Sequence, residues 1–460
     1  MNQDTAPLTP DAAPLTQDAA PLTNEQRQMM RRMRDCPYPT SYTTVVRLEL
    51  TGELRPEALK DALDGLIIRH HALRSRYLAG GDGPPQQVVD APRPARFELI
   101  DVTELPVAER ADAVRRLAER MNGEPFDIEE GHLLRTALLR TDADVWHLFL
   151  AYHHIAVDGW ALRVMLEELA VLYANGLGGG EPRALPEPVQ SADCARLQRT
   201  EDAERRARDN IRYWRDVLRG HTQVLDLPGE LPRPEGFIGA GATEPVRIGR
   251  DVYQALRKTA AACGATVFVA AASAVAAFLS GLTGQRDLVL SVPFFNRSAA
   301  DDRAVTCLSG PILLLVEIRE GDTFKALVER TADRFFDALE HTELPVMDLL
   351  DTLVEEDGWT TTRPPCAAVA MQTFDFDKVA GLPGVSARLH FESVQVALTD
   401  LVLTLTESDD GIDGFALYRR DLFRPEIMRR WMADFTELTA AFALQPDLPL
   451  GTLVPDRARA

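Results

Sequence analysis

The stretch that most constrains this chain is a strand, a tight turn and a helix that follow one another without a gap. Val145 to Tyr152 (VWHLFLAY) is a short run of β-branched, aromatic and aliphatic residues bounded by Asp142 and Asp144. That is the pattern of a buried strand. Trp160 to Ala174 (WALRVMLEELAVLYA) repeats apolar residues at helical spacing and stops at Asn175-Gly176, as an amphipathic helix with a glycine-type end does. Between the two stand His153-His154-Ile155-Ala156-Val157-Asp158-Gly159. The histidines therefore fall where a strand ends, and Asp-Gly where a helix begins. On α/β scaffolds such junctions commonly carry catalytic groups.

Adjacent residues of a strand point to opposite faces. One histidine should look into a cleft and the other into the body of the lobe, and His154, nearer the loop, is the candidate for the cleft. An imidazole titrates near neutrality, at about 6.5. It can take a proton from an attacking amine or hydroxyl, or hold that nucleophile by a hydrogen bond. Asp158 can cap the helix, or form a buried ion pair with an arginine from elsewhere in the chain. Gly159 lets the backbone come close to a substrate and can present its N–H to a developing oxyanion. No metal site is expected, because neighbouring histidines diverge and no further ligand stands nearby at metal-binding spacing. Gly178-Gly179-Gly180 and Gly239-Ala240-Gly241 lie in Pro/Gly-rich stretches and make no phosphate-binding loop. No Gly-x-Ser-x-Gly elbow appears, so a serine-hydrolase triad has no support.

A chain of 460 residues is too long for one ordinary core and calls for two or three lobes. Its net charge of -20 argues against a nucleic-acid or anionic-membrane partner. Five scattered cysteines, never in a CxxC pair, point to a reducing cytoplasm rather than to disulfides or zinc. The N-terminus has no signal-peptide pattern, and the longest apolar run, Ala270 to Leu279, is too short to span a bilayer. Ala-Pro-Leu-Thr recurs at Ala6, Ala13 and Ala20, so residues 1–23 read as a disordered low-complexity leader. The best linker by composition is Gly176 to Val189. It divides the rest into an N-terminal lobe, 24–180, and a C-terminal lobe, 181–460. Strands and helices alternate in both, which makes the class α/β. Residues 79–96 and 226–245 read as loops. Arg27, Arg31, Arg32 and Arg34 form a positive patch on an expected first helix, either a solvated face or an anchor for a phosphate-bearing partner.

At this point the residues resemble a family. His153-His154-x-x-x-Asp158-Gly159 is similar to the HHxxxDG signature of the condensation domains of nonribosomal peptide synthetases, and of related acyltransferases with the chloramphenicol acetyltransferase-like fold. Further motifs follow in the family's order. Leu22-Thr23-x-x-Gln26 looks like the start of its first helix, and Arg69-His70-His71-Ala72-Leu73-Arg74 resembles RHExLR. Asp193-Cys194-Ala195 is a weak DYA. Thr283-Gly284-Gln285-Arg286-Asp287 through Pro293 and Arg297 resembles SGQxD…PxxxR. His341-x-x-x-Pro345 resembles HxxxPF with Val346 in place of the aromatic residue, and Arg363-Pro364-Pro365 through Val369 resembles RNPLFQV. Tyr418, Leu422-Phe423 and Pro446 to Leu448 fit the last elements, so the resemblance covers roughly residues 20 to 455. Where the family often shows GxFVNT, this chain has Gly310-Pro311-Ile312-Leu313-Leu314-Leu315.

The resemblance implies two chloramphenicol acetyltransferase-like lobes that form a V, with His154 at the middle of a central tunnel. His154 would act as general base or position the nucleophile, and His153 would be structural. Asp158 would hold the turn by pairing with Arg297. The Gly159 N–H would assist at the thioester carbonyl, and Trp160, Ser309 and Leu314 would line the tunnel. The implied reaction transfers an acyl group from a carrier-protein thioester to an amine or hydroxyl. The enzyme itself binds no cofactor, since 4'-phosphopantetheine arrives on the carrier. No adenylation signature or carrier-type serine motif is present, so the expectation is a stand-alone, monomeric condensation enzyme that meets its peptidyl or acyl carrier protein in trans. An acyl-CoA-dependent acyltransferase of the same fold and a catalytically silent carrier-recruiting domain remain alternatives.

Overall fold

A five-stranded and a seven-stranded sheet, each with its own hydrophobic core, make up most of the molecule, together with a small three-stranded sheet. The computed structural model describes residues 19–453 apart from 35, 82, 179–180, 222–224, 230, 235, 237, 358, 360–365, 373–375 and 393. The first part of the chain runs β1 (Ala19–Pro21), α1 (Asn24–Met33), β2 (Thr43–Gly52), α2 (Pro56–Arg69), β3 (Ser75–Leu78), β4 (Gln86–Val89), β5 (Arg96–Asp101), α3 (Val107–Gly123), β6 (Leu134–Arg140), β7 (Val145–His153) and α4 (Gly159–Leu177). There follow α5 (Ser191–Leu197), α6 (Glu201–Leu218), β8 (Gly239–Gly249), α7 (Arg250–Ala262), α8 (Val267–Thr283), β9 (Asp287–Phe294), β10 (Gly310–Glu317), α9 (Phe324–Leu339) and α10 (Val346–Glu356). The chain continues through β11 (Ala367–Gln372), α11 (Phe376–Val379), β12 (Val385–Phe391), β13 (Val396–Ala397), β14 (Leu401–Ser408), β15 (Gly411–Arg419), α12 (Pro425–Leu444) and α13 (Leu450–Leu453).

The strand that anchors the histidines lies at the centre of the first sheet, whose order is β12-β2-β7-β6-β5. Residues 146 to 153 of β7 are all buried, so the strand reads as a continuous apolar run and not as an alternation. Antiparallel register with β2 sets Thr43 opposite His153. The second sheet runs β10-β9-β11-β14-β15-β8-β13. Its apolar helix α8 starts at Thr266, whose side chain accepts from Val269 N–H, and stops at Gly284 with φ 74°, a left-handed end that suits glycine.

Four expectations are corrected by this architecture. The leader does not extend to residue 23. Ala19–Pro21 pairs with β4, Leu22 and Thr23 are wholly buried, and Thr23 forms a capping box with Gln26 at the start of α1. Residues 1–18 lie outside the described residues. The boundary at 180/181 does not separate the lobes either. β12 crosses back to pair antiparallel with β2, from Val385 opposite Gly52 to Phe391 opposite Val46. Phe376, Leu382 and Val385 accordingly belong to the first core. The two expected loops each contain strand: β4 falls inside 79–96 and β8 starts at Gly239. Composition misled at Gly239 because packing requires the glycine. A Cβ there would sit 2.5 Å from Arg419 Nε and 2.7 Å from Asp421 Oδ1. Finally, the arginine patch is partly paired: Arg27 and Arg31, both still accessible, reach Asp348 on α10, and Arg31 also reaches Asp351 at 2.6 Å.

The Arg69–Arg74 motif is a brace. Buried Glu168 on α4 accepts from Arg69 Nε at 2.9 Å and lies 2.8 Å from His70 Nε2, tying α2 to α4. Burial raises the Glu168 carboxyl, but hydrogen bonds from His70 and Arg69 outweigh it and hold the group down at about 2. The folded value lies below the ordinary one, so this stabilisation is complete above about pH 4.5 and is lost as pH falls toward 2. Glu168→Gln should therefore destabilise the protein markedly at pH 7 and much less at pH 3. Urea-denaturation midpoints at the two pH values check this, and an equal loss at both would remove the ion-pair account.

Candidate active site

His153 closes β7 and His154 opens the turn. The backbone of the turn is fixed on both sides: His153 N–H donates to Leu133 O at 3.2 Å, and His154 N–H donates to Tyr42 O at 2.8 Å. His153 is 1% exposed, between the rings of Tyr42 and Phe126. Its Nδ1 accepts the Ile155 N–H at 3.1 Å. Burial, and then the neighbouring His154, push its imidazole down to about 3, so it is neutral and structural.

His154 is enclosed by protein yet keeps partial solvent access. Burial lowers its pKa, against an opposing pull from the Asp158 charge. At neutral pH the ring is therefore uncharged and retains a lone pair, the state a proton acceptor needs. Its Nδ1 lies 3.7 Å from the Cys307 Sγ.

Asp158 caps α4 and does much more. It is wholly buried, and its Oδ1 accepts Ala161 N–H at 2.8 Å. Arg297 Nη2 donates to both carboxylate oxygens, at 2.9 and 3.0 Å. Oδ2 also accepts Leu308 N–H, Ser309 N–H and Ser309 Oγ–H at 2.9, 3.0 and 2.8 Å. Burial alone would raise this carboxyl, but Arg297 and the hydrogen bonds hold it below the usual range. Arg297, with its side chain 3% exposed, extends the clasp by donating to the carbonyls of Asp301, Ala304 and Thr306. One ion pair thus joins the histidine turn of the first lobe to residues 297–309 of the second. Asp158 acts on the backbone around it and has no valence left for a substrate.

Of the remaining candidates, Leu314 is closed off in a core, whereas Ser309 and Trp160 are partly accessible and bonded within the protein. Ser309 spends its hydroxyl on Asp158. Leu314, expected in the tunnel, is 0% exposed and sits opposite Leu290 within the second core. The leucines that replace the polar family pattern fill a strand buried on both faces, and Leu314 cannot touch a substrate there. Trp160 Nε1 donates to Asp302 O at 2.5 Å, and its ring meets the Phe295 ring edge-on at 5.6 Å. A Cβ added at Gly159 would lie 3.3 Å from the Phe295 ring. A side chain at 159 would therefore crowd this contact between the lobes. Gly159→Ala should push Phe295 away and cost about 1–3 kcal/mol, read as a lowered melting temperature. Phe295→Leu in the same chain should recover part of it, and no recovery would rule out the steric explanation.

Gln26 is the residue the sequence reading passed over as a mere helix start. Wholly buried, its Nε2 lies within 3.0–3.3 Å of Ile155 O, Tyr77 Oη, Ser191 Oγ and Thr306 Oγ1. It therefore holds the histidine turn to both lobes. A glutamine three residues after a threonine signals a capping box, but nothing in that spacing reveals the long-range contacts. Beside Arg297 opens a cavity of about 380 Å³ bordered by Glu25, Gln198, Phe294 and Asn296. Burial pushes the Glu25 carboxyl up to about 7. His341, from the HxxxP motif, instead stacks on Tyr213 at 3.7 Å, and Arg363-Pro364-Pro365 lies outside the described residues. Among the described residues no three His, Cys, Asp or Glu side chains converge as metal ligands, and no single helix is long and apolar enough to cross a membrane.

Comparison with known proteins gives a consistent set of likenesses. A family model described as the condensation domain matches residues 16–460. Phosphinothricin tripeptide synthetase PhsC of Streptomyces viridochromogenes is 31% identical over 417 residues, covering 90% of this chain and 38% of that protein. Chondramide synthase cmdD of Chondromyces crocatus is 30% identical over 408 residues, covering 88% of this chain and 10% of that protein. The chain thus corresponds to a fraction of these large synthetases. In fold it is similar to the first condensation domain of the calcium-dependent antibiotic synthetase, with TM-score 0.80, 21% identity, and 94% and 98% of the two chains covered. It is also similar to the starter condensation domain of rhizomide synthetase RzmA, with TM-score 0.83, 19% identity, and 95% and 96% covered.

Proposed function

This chain belongs to the condensation domain family of acyltransferases, and on that premise we propose that it moves an acyl or aminoacyl group from a carrier-protein thioester to an amine or hydroxyl acceptor in nonribosomal peptide or related biosynthesis. The observation that carries this reading is a neutral, partly accessible imidazole, His154, on a turn locked between two lobes. In the reaction, the acceptor atom attacks the thioester carbonyl carbon, the C–S bond breaks, and the carrier thiol leaves. His154 takes the acceptor's proton or orients its lone pair. The N–H groups at the start of α4, that of Gly159 among them, are suited to stabilise the charge that develops on the carbonyl oxygen. The pantetheine arm is part of the incoming substrate.

Action as a monomer in the cytoplasm, on a carrier supplied as a separate protein, belongs to the same proposal. The test is an intact-mass assay with a separately produced, acyl-loaded carrier and a panel of amine and hydroxyl acceptors. The expected result is acceptor-dependent loss of the acyl mass from the carrier and a new amide or ester. Equally efficient use of free acyl-CoA would instead select the acyl-CoA-dependent alternative.

A further inference from the structure

Arg32 stands in the last turn of α1. Arg27 and Arg31 reach acids on α10, but among the described residues Arg32 takes part in no ion pair. Its Nε is buried without a hydrogen-bond partner, while the residue as a whole keeps some exposure. Tyr42 lies alongside and is 5% exposed. Its hydroxyl is also buried without a partner: the guanidinium is near enough to act on it but forms no hydrogen bond with it. Burial raises the pKa of this phenol, so it stays a hydroxyl and can donate. Tyr42 is also the neighbour of His154. Thr43 stands opposite His153 in the sheet, and the Tyr42 carbonyl accepts the His154 N–H at 2.8 Å. The Arg32 charge reaches His154 as well, where it adds to burial in lowering the pKa of the ring. Asp158, the carboxylate whose charge also reaches that ring, is committed to Arg297 and to three N–H groups.

A guanidinium has donors only, and buried donors almost always find an acceptor. Beside His154 a cation and a hydroxyl both lack one. We propose that Arg32 and Tyr42 form a carboxylate-recognition corner beside His154, so that the site favours a substrate carrying a carboxylate close to its reacting atom. The inference rests on the reading of His154 as the centre of acyl transfer. The planar fork of an arginine matches the two oxygens of a carboxylate, and a tyrosine hydroxyl supplies a further donor. The carboxylate can belong to the acceptor, as in an amine with an α-carboxylate, or to the acyl group, as in the monothioester of a diacid. The chemistry at Arg32 is the same in both. The phosphate of the carrier arm is not the anion in question, because the whole length of the arm separates it from the thioester that His154 meets.

The experiment measures dissociation constants by ligand-observed NMR with the full chain at neutral pH, using two sets of matched probes. One set pairs amino acids with their primary amides, and the other pairs succinyl-pantetheine with succinamoyl-pantetheine. In each pair the amide keeps the shape and removes the negative charge. In at least one set the carboxylate should bind at least tenfold more tightly than the amide, and the set that shows this tells whether the acceptor or the acyl group carries the charge. Arg32→Gln should bring the two forms level, and Arg32→Lys should keep part of the preference. Tyr42→Phe should reduce the preference by less than Arg32→Gln does. It keeps the ring and loses only a hydroxyl that has no protein partner, so its effect does not come from misfolding. A wild-type chain with no preference in either set, or a preference unchanged in Arg32→Gln, would overturn the inference. Because binding needs no turnover, either result stands apart from whether the proposed transfer reaction is detected.

Discussion

His154→Ala should yield a folded protein whose rate of acyl transfer is lower by about 10²–10⁴, the usual contribution of a positioned general base. The fold should survive because the side chain contributes little to either core. Its ring is partly accessible, its hydrogen bond to Tyr42 comes from the backbone, and its one side-chain neighbour at hydrogen-bonding range is Cys307. His153 behaves oppositely: wholly enclosed between two aromatic rings, it should cost stability when replaced. The measurement is single-turnover transfer from a loaded carrier to a fixed acceptor, alongside a thermal melt. An unchanged rate for His154→Ala would leave the ring with no chemical role and favour a domain that only recruits carriers. The size of the loss also bears on mechanism. An amine acceptor, once neutral, attacks through its own lone pair before any proton leaves, so its dependence on His154 should be the smaller. A hydroxyl gains more from proton removal and should show the larger loss with the same variant.

Much of this site could be read from the chain because it is local. The apolar run of β7, the helical period of α4 and the Asp-Gly between them lie within about thirty residues, where periodicity and capping rules apply directly. Strand geometry separated His153 from His154 for the same reason. What escaped was whatever depends on long-range packing. Gln26 looks like a cap from its spacing, and only folding brings it against Ile155, Ser191 and Thr306. Leu314 sits in a segment that the family resemblance places near substrate, but the neighbouring strand β9 and the helices behind it close over it. Gly239 and Gly159 read as loop or substrate-facing glycines, yet a side chain arriving from far along the sequence fills the space beside the first and crowds the second. β12 returns to the first sheet more than two hundred residues after β7 leaves it, and no composition shift announces such a crossing.

Asp158→Ala should cost about 3–5 kcal/mol of unfolding free energy, the range for breaking a buried ion pair by removing one member. The carboxylate serves Arg297, Ala161, Leu308 and Ser309 at once. Its loss strands a guanidinium that is 3% exposed and leaves three buried N–H groups without their acceptor, each carrying a desolvation cost. Asp158→Asn keeps the shape and one acceptor oxygen, so it should lose less. The double variant Asp158→Ala/Arg297→Leu should be less destabilised than the sum of its parts, since the penalty of an unpaired arginine disappears with the arginine. Chemical denaturation of the four proteins gives the coupling directly. Strict additivity would mean that the pair is a bystander and that other contacts hold the lobes together. Activity supplies the second half of the test. The carboxylate that anchors the start of α4 also fixes residues 307–309 beside His154, so transfer should be lost in Asp158→Ala even where most molecules remain folded. His154→Ala should separate chemistry from stability, whereas Asp158→Ala should remove both, because here one buried charge holds the two lobes and the histidine turn in the same register.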